Sequence, residues 1–429
     1  MDERPVVTCF LRNDGEVLLL RRSDAVGSYR GQWGGVAGHV ADDAGQDQPP
    51  GTAARAEIAE ETGLADAVTL VRAGEPFPVE DGERRWLVHP FLFDCDSRAV
   101  EANEETAEYE WVQAPEILRR ETVPRLWTSY DRVRPRVATL REDHTHGSAW
   151  LSLRGLETLR DEAALEVERR GGDRETAERD GDGWTALAEL ARGLREARPS
   201  MAVLENRINR VMTAASDERT PAAVEHAARG AVEQAVGADR EAAALAADAI
   251  GERVATLSRS GTVAAAIRAA EPEAVLVAES RPGGEGVGVA ESLADATEVT
   301  LTTDAALPFE LDEWGADAVL VGADRVLPDG GVVNKVGTRG AALAAAAAGV
   351  DCLVVAASDK VAGGGDYDLE PRCPGELYDG DADVGVANPT FDVTPADAVT
   401  AVLTEQGRLS TDEVAAVAAP HREWAAWES

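Results

Sequence analysis

The sequence predicts an α/β protein of two globular domains, a mixed α+β unit followed by a helical subdomain that leads into a doubly wound parallel sheet. Three observations carry this prediction. The chain has 429 residues, more than one ordinary hydrophobic core accommodates. Its first part sets short apolar runs around turn signals. Its last part alternates continuous apolar runs with helical segments, the pattern of parallel strands covered on both faces.

Taken in order, the runs 6–11 and 16–20 flank Asn13-Asp14-Gly15, a strong hairpin signal. Residues 52–62 have helical spacing, and Gly63 stands where a helix end favours glycine. The runs 86–93 and 110–112 complete a first domain over residues 1–142. Residues 141–147 are polar and read as a solvated linker. His144 and His146 within it have metal-ligand spacing but no third ligand nearby.

The second domain spans 143–429, with a helical part over 148–255 and an α/β part over 256–410. Helical patterns cover 151–170, 184–198, 201–215, 221–236 and 239–255, and the acidic, glycine-containing stretch 171–183 is expected to be a loop. Apolar runs at 274–278, 299–302, 318–321 and 353–356 are the expected strands. Sites in such sheets lie at the carboxyl ends of the strands.

Composition excludes several classes of partner. Asp and Glu number 79 against 42 Lys and Arg, a formal net charge of −37. Such a field repels nucleic acid and anionic membranes. The acids are spread along the chain, which suits a salty, halophilic cytoplasm where the screening length falls to ~3 Å at about 1 M salt. No apolar run reaches the roughly 18 residues of a membrane span. Met1–Arg4 is charged and leads directly into a strand-like run, so no signal peptide is expected and the protein is read as cytoplasmic. Cys9, Cys95, Cys352 and Cys373 are scattered, as reduced thiols are, without zinc or disulfide spacing. Only two of the basic residues are lysines, Lys335 and Lys360. In a chain so rich in arginine, a retained lysine points to a place that takes a compact ammonium and not a planar fork.

Near the N-terminus, Trp33-Gly34-Gly35-Val36-Ala37-Gly38-His39-Val40 precedes Glu57-Ile58-Ala59-Glu60-Glu61-Thr62-Gly63-Leu64. Residues three and four apart share a helix face, so Glu57, Glu60 and Glu61 can converge on a hard divalent ion. Such an ion can bridge a diphosphate and polarise phosphorus for attack by water. With the preceding hairpin, this segment resembles a Nudix box, and the resemblance covers about residues 5–140. It implies Mg2+ or Mn2+ held by Glu57, Glu60 and Glu61, with Glu57 also assisting as base, and hydrolysis of a nucleoside diphosphate derivative. The chain departs from the family pattern in two places. Ala56 stands where the family has arginine, with Arg55 one place early. The family's glutamate after the glycine is missing, and Asp42 or Asp43 is the substitute on offer.

In the second domain, Asp324 follows the apolar run 318–321, at a strand's carboxyl end, where a shielded carboxylate can serve as acid or base. Asn334 and Lys335 read as a loop entering a helix over 340–348, where backbone N–H groups and a cation make a phosphate site. Four motifs occur in order: Glu279-Ser280-Arg281-Pro282, Gly322-Ala323-Asp324-Arg325, Asn334-Lys335-Val336-Gly337-Thr338 and Asn388-Pro389-Thr390-Phe391-Asp392-Val393-Thr394-Pro395.

Together they resemble the translation initiation factor 2B regulatory subunits and their sugar-phosphate isomerase relatives, ribose-1,5-bisphosphate isomerase and methylthioribose-1-phosphate isomerase, over about residues 150–410. The resemblance implies a Rossmann-like sheet and a homo-oligomer formed through this domain. It implies Asp324 as one catalytic group, and Asn334, Lys335 and Lys360 as ligands of a sugar phosphate or nucleotide. Arg198, Arg259, Ser260, Gly261 and Thr262 match further phosphate-contacting positions. Arg154-Gly155 matches the family's N-terminal Arg-Gly element, and Arg281 is read as supporting the Asn334–Lys335 segment. Ser258 stands where the isomerases place a cysteine as second acid/base group. A hydroxyl ionises far above a thiol's pKa of about 8.5, so the reading puts binding ahead of isomerisation. The expectation is a Nudix-type hydrolase joined to a sugar-phosphate- or nucleotide-binding domain, with an aldose–ketose isomerase or a non-catalytic translation or nucleotide-sensing regulator as alternatives.

Overall fold

The computed structural model describes residues 3–41, 46, 48–82, 84–171 and 181–428. The chain divides into two compact units, residues 1–136 with 160–178 and residues 137–159 with 179–429.

In the first unit an eight-stranded mixed sheet is built around Glu3–Asn13 and Arg84–Cys95, paired in parallel. Glu3–Asn13 turns back antiparallel into Glu16–Arg22 through Asp14 and Gly15, both at positive φ (51° and 82°). That is the backbone an Asp-Gly hairpin turn demands, and the reason the dipeptide was readable. The helix Pro50–Thr62 buries Ala53, Ala54 and Ile58 and ends at Gly63, whose φ of 70° lets its N–H reach Ala59 O. Two strands that the sequence did not reveal, Val68–Ala73 and Phe77–Asp81, pair with Arg84–Cys95.

The second unit contains the helix Val137–Glu142, the helix Ser148–Gly171 as far as Leu159, and the helices Gly181–Arg195, Ala202–Ala214 and Pro221–Ala249. The expected loop over 171–183 falls mostly on residues outside those described. Two corrections concern the last helix. It runs unbroken through Gly237, where a break was expected, because Val232, Ala235, Ala242 and Ala246 continue one buried face on both sides of the glycine. Burial of that face outweighs the roughly 1 kcal/mol helix cost of a glycine. Residues 253–255, expected to finish the helix, belong instead to the strand Arg253–Leu257.

That strand decides the architecture. The seven-stranded sheet has the order Glu298–Thr302, Ala274–Ala278, Arg253–Leu257, Ala318–Val321, Asp351–Val355, Ala401–Thr404, Gly407–Leu409. All neighbours are parallel except the last pair. The chain starts in the middle, winds outward in one direction and then in the other, so Arg253–Leu257 and Ala318–Val321 flank the point where strand order reverses. Ligands bind at that switch point in doubly wound sheets. A small antiparallel sheet of Arg325–Val326, Val332–Lys335 and Phe391–Thr394 lies beyond it. Asn334 and Lys335 therefore end a strand and do not sit in a loop. Among the described residues no helix is long and apolar enough to cross a membrane. Cys9, Cys95 and Cys352 are buried, Cys373 is exposed, and all are free thiols.

Candidate functional site

A cavity of about 680 Å³ opens at the switch point. Leu257 to Gly261 and Gly322 to Asp324 come to it directly from the two switch-point strands, and Asn334 and Lys335 from the small sheet. Lys360 enters from the short turn Ser358–Lys360 after Asp351–Val355. Thus Asp324, Ser258, Arg259, Ser260, Gly261, Asn334, Lys335, Lys360 and Arg198 all line one space. The two lysines, 25 residues apart in sequence, are each 3% exposed and share it.

Burial pushes the Asp324 carboxyl above its usual range, opposed by the Lys360 charge and by the Ser148 hydroxyl, which hydrogen-bonds to it; Glu370 pushes it further up and Arg198 draws it down. Burial likewise lowers the Lys360 ammonium, against the opposing pull of Asp324 and Asp239. Both charged forms are thus held at a cost that a close opposite charge repays only in part.

Three other cations of the cavity are paired with carboxylates of the chain itself. Lys335 Nζ lies 2.9 Å from Glu285 Oε1, and Arg198 Nη2 lies 3.1 Å from Glu370 Oε2, while Ser200 also donates to Glu370. Arg372 reaches Glu376 at 2.7 Å. An anionic ligand entering here exchanges places with these acids. Asn334 Nδ2 donates to Thr338 Oγ1 at 3.0 Å, fixing the strand end from which Lys335 projects.

Ser258 has a left-handed backbone (φ 66°), unusual for a residue with a side chain, and its N–H donates to Ser280 Oγ at 2.6 Å. Ser260 caps the helix Gly261–Ala270 by accepting from Val263 N–H, which aims that helix's first N–H groups toward the cavity mouth.

Several expectations are corrected. The start of the helix Thr338–Ala348 is not an open anion site, because Asp392 accepts from Gly337 N–H at 2.8 Å and from Arg339 N–H at 3.2 Å. Arg154 and Gly155 do not line the cavity. Arg154 is buried, pairs with Glu157 at 2.8 Å and covers the Trp150 ring, while any side chain at position 155 would collide with Leu204. Thr262 is buried just behind the lining residues. Arg281 is exposed and pairs with Glu279, away from Asn334 and Lys335.

The segment read as a solvated linker is a wall of the cavity: His144 to Trp150 line it. His146 stacks on Trp150 with ring centroids 3.8 Å apart and planes 10° apart, and its Nδ1 lies 2.7 Å from Asp143 Oδ2. Although burial pushes Asp143 up, the bonds from His146 and Thr145 hold its carboxyl below the usual range. The available signal was Gly147-Ser148 opening a helical pattern immediately after a histidine. Glu370, Arg372 and Glu376 gave no signal, since acids and arginines are everywhere in this chain.

In the first unit a second cavity of about 700 Å³ is lined by Gly38, Glu57, Glu60 and Glu61, with Arg22, Tyr29, Arg84 and Trp86. Any side chain at position 38 would overlap the Glu57 carboxylate, which packs directly on the glycine backbone. Burial, then the neighbouring Glu57, push Glu61 up to about 8, while the Ala37 N–H 3.4 Å away works in the other direction. Among the described residues no three acidic, His or Cys groups converge into a ready metal cage. Two crowded carboxylates nonetheless suit Mg2+, which is bound by one or two carboxylates together with waters and substrate phosphates. A cation there would relieve the repulsion that raises Glu61. The proposed substitutes Asp42 and Asp43 lie outside the described residues.

Two family models match the chain: the NUDIX domain over residues 2–133, and the Initiation factor 2 subunit family over residues 144–411. The ribose 1,5-bisphosphate isomerase of Haloferax volcanii is 32% identical over 305 residues, covering 66% of this chain and 92% of that protein. A methylthioribose-1-phosphate isomerase of Alkalilimnicola ehrlichii is 37% identical over 254 residues, 52% of this chain and 73% of that protein. Among solved structures, the translation initiation factor eIF-2B of Pyrococcus horikoshii has 28% identity and a TM-score of 0.54, covering 64% of this chain and 95% of that one.

Proposed function

Because the chain belongs to the Initiation factor 2 subunit family through residues 144–411 and carries a NUDIX domain ahead of it, we propose that its second domain binds a ribose phosphorylated at C1, and that its first domain hydrolyses a nucleoside diphosphate derivative. The observation that carries the binding reading is the convergence of the chain's only two ammonium groups, both buried, on the cavity that holds Asp324. A phosphorylated sugar suits that cavity, since it offers anions to the cations and hydroxyls to Asp324 and Asn334. The names of the two isomerase relatives share a ribose phosphorylated at C1, which narrows the sugar. Titration calorimetry of the full chain with ribose 1,5-bisphosphate tests it. Binding lost in Lys360→Met supports the reading, and no binding by the parent chain ends it.

Aldose–ketose isomerisation is the second reading. It is favoured by the opposed shifts of Asp324 and Lys360, since a carboxyl whose proton affinity is raised by burial is suited to donate a proton to a leaving ring oxygen. NMR of the sugar phosphate with the full chain distinguishes conversion from binding alone. For the first domain, hard carboxylate donors at Glu57, Glu60 and Glu61 would hold Mg2+ or Mn2+, which when bound supplies Lewis-acid polarisation of a diphosphate. Glu57, kept against Gly38, is the residue placed to orient or deprotonate water.

A further inference from the structure

We propose that His146, held by Asp143 and stacked on Trp150, is the second proton-transfer group of the Asp324 cavity, in the role that Ser258 cannot fill. This rests on the isomerase reading above. Three observations carry it. The Nδ1 of His146 is 2.7 Å from Asp143 Oδ2, a contact in which Nδ1 is the donor, so Nε2 is the nitrogen available for proton transfer. The ring is clamped on its face by Trp150 at 3.8 Å, so it is oriented by two groups at once. Asp143 is itself anchored, because its backbone carbonyl accepts from Arg198 Nη1 at 2.5 Å and its carboxylate also accepts the N–H groups of Thr145 and His146.

The imidazole also shares its cavity with the right partner. Ser148, two residues along the chain, hydrogen-bonds to the Asp324 carboxylate, and His146, Ser148 and Asp324 line the same cavity. An acid and a base therefore line the same space. Ser258, by contrast, has no imidazole or carboxylate hydrogen-bonded to its hydroxyl among the described residues, and its backbone N–H is committed to Ser280.

The proton balance closes with these two groups alone. Asp324, as the neutral acid, protonates the ring oxygen of the ribose while the C1–O bond to that oxygen breaks. Nε2 of His146 takes the proton from C2, and the C2–H electron pair forms the C1=C2 bond of an enol that still carries the C1 phosphate. The Asp324 carboxylate then takes the proton of the C2 hydroxyl as C2=O forms, and the imidazolium returns its proton to C1. Both residues regain their starting states, and no oxidant or reductant takes part.

The test uses the full chain with ribose 1,5-bisphosphate, conversion followed by NMR and affinity by calorimetry. In His146→Ala the turnover is expected to fall about 10²- to 10⁴-fold, the range for losing a general base, while affinity changes less than about threefold. Asp143→Asn is expected to lose less, with the same affinity. Added imidazole, and separately Ser258→Cys in the His146→Ala background, are expected to restore part of the turnover. Matched thermal unfolding of parent and variants excludes misfolding as the cause. Turnover unchanged in His146→Ala, or affinity lost with turnover retained, overturns the assignment and leaves the isomerase reading standing. Tight binding with no conversion by the parent chain overturns the isomerase reading, and His146 with it.

Discussion

Asp324 and Lys360 lie beyond the carboxyl ends of neighbouring parallel strands, Ala318–Val321 and Asp351–Val355, and after burial itself each is the strongest influence on the other's ionisation. Burial disfavours the charged form of each group, and the partner's charge favours it. Any change to one member is therefore felt as a change in proton affinity at the other.

That coupling gives a stability prediction with a definite sign. The Asp324 carboxyl is raised in the folded state, so its contribution is fully present below the unfolded carboxylate pKa of about 3.9 and is lost as pH rises through the folded value. Asparagine mimics the protonated form and cannot lose it. The unfolding temperature of Asp324→Asn should match the parent near pH 4 and exceed it increasingly toward neutrality. A difference that stays flat or reverses with pH shows that the fold does not disfavour the carboxylate. Lys360 acts in the opposite sense, losing stability as pH falls, and loss of the Asp324 charge lowers its ammonium further, so the comparison is made in a Lys360→Met background that removes this contribution.

Removing either lysine should cost affinity for a sugar phosphate. Charge-assisted hydrogen bonds are worth about 1.5–3 kcal/mol, so Lys335→Met and Lys360→Met should each weaken ribose 1,5-bisphosphate binding by roughly 10- to 100-fold. Calorimetry at fixed ionic strength reads this directly. Affinity unchanged in both variants would place the phosphates elsewhere.

In the first domain, Glu61→Gln should abolish Mg2+-dependent phosphate release from ADP-ribose and dinucleotides, measured with a coupled phosphatase. Gly38→Ala should reduce it as well, because the new methyl group overlaps the Glu57 carboxylate and must displace it. Full activity in Gly38→Ala would mean that Glu57 does its work from another position.

The formal charge of −37 leads to a salt prediction. Self-repulsion destabilises the compact state, and at about 1 M salt the screening length is ~3 Å, short enough to quench it between surface carboxylates. The unfolding temperature should climb steeply between about 0.1 M and 1 M KCl. A flat response would remove the case for a halophilic origin.

Much of the fold was legible because its signals are local. The Asp14-Gly15 turn and Gly63 at a helix end each announce a positive φ that few other residues tolerate. Ala274–Ala278 and Ala318–Val321 read as buried strands because every one of their residues is apolar and buried. The strand Arg253–Leu257 was missed for an equally physical reason. It follows a 29-residue helix after only three residues, of which Gly251 was the one breaker, and a short apolar run next to helical periodicity has no period of its own.

By itself the sequence determined the presence of two domains and the family of each, and it singled out Asp324, Asn334, Lys335 and Lys360 as candidates, because motif spacing and the near absence of lysine are properties of the chain alone. Only the tertiary structure decided that the two lysines line one cavity, that Asp392 fills the helix start expected to take phosphate, that Arg154 packs against Glu157 and Trp150, and that His146 and Trp150 form a wall of the cavity. Those facts depend on which side chains come together from distant parts of the chain and on what burial does to their charges. Neither is encoded in any local pattern, since a charge's proton affinity belongs to its surroundings and not to the residue.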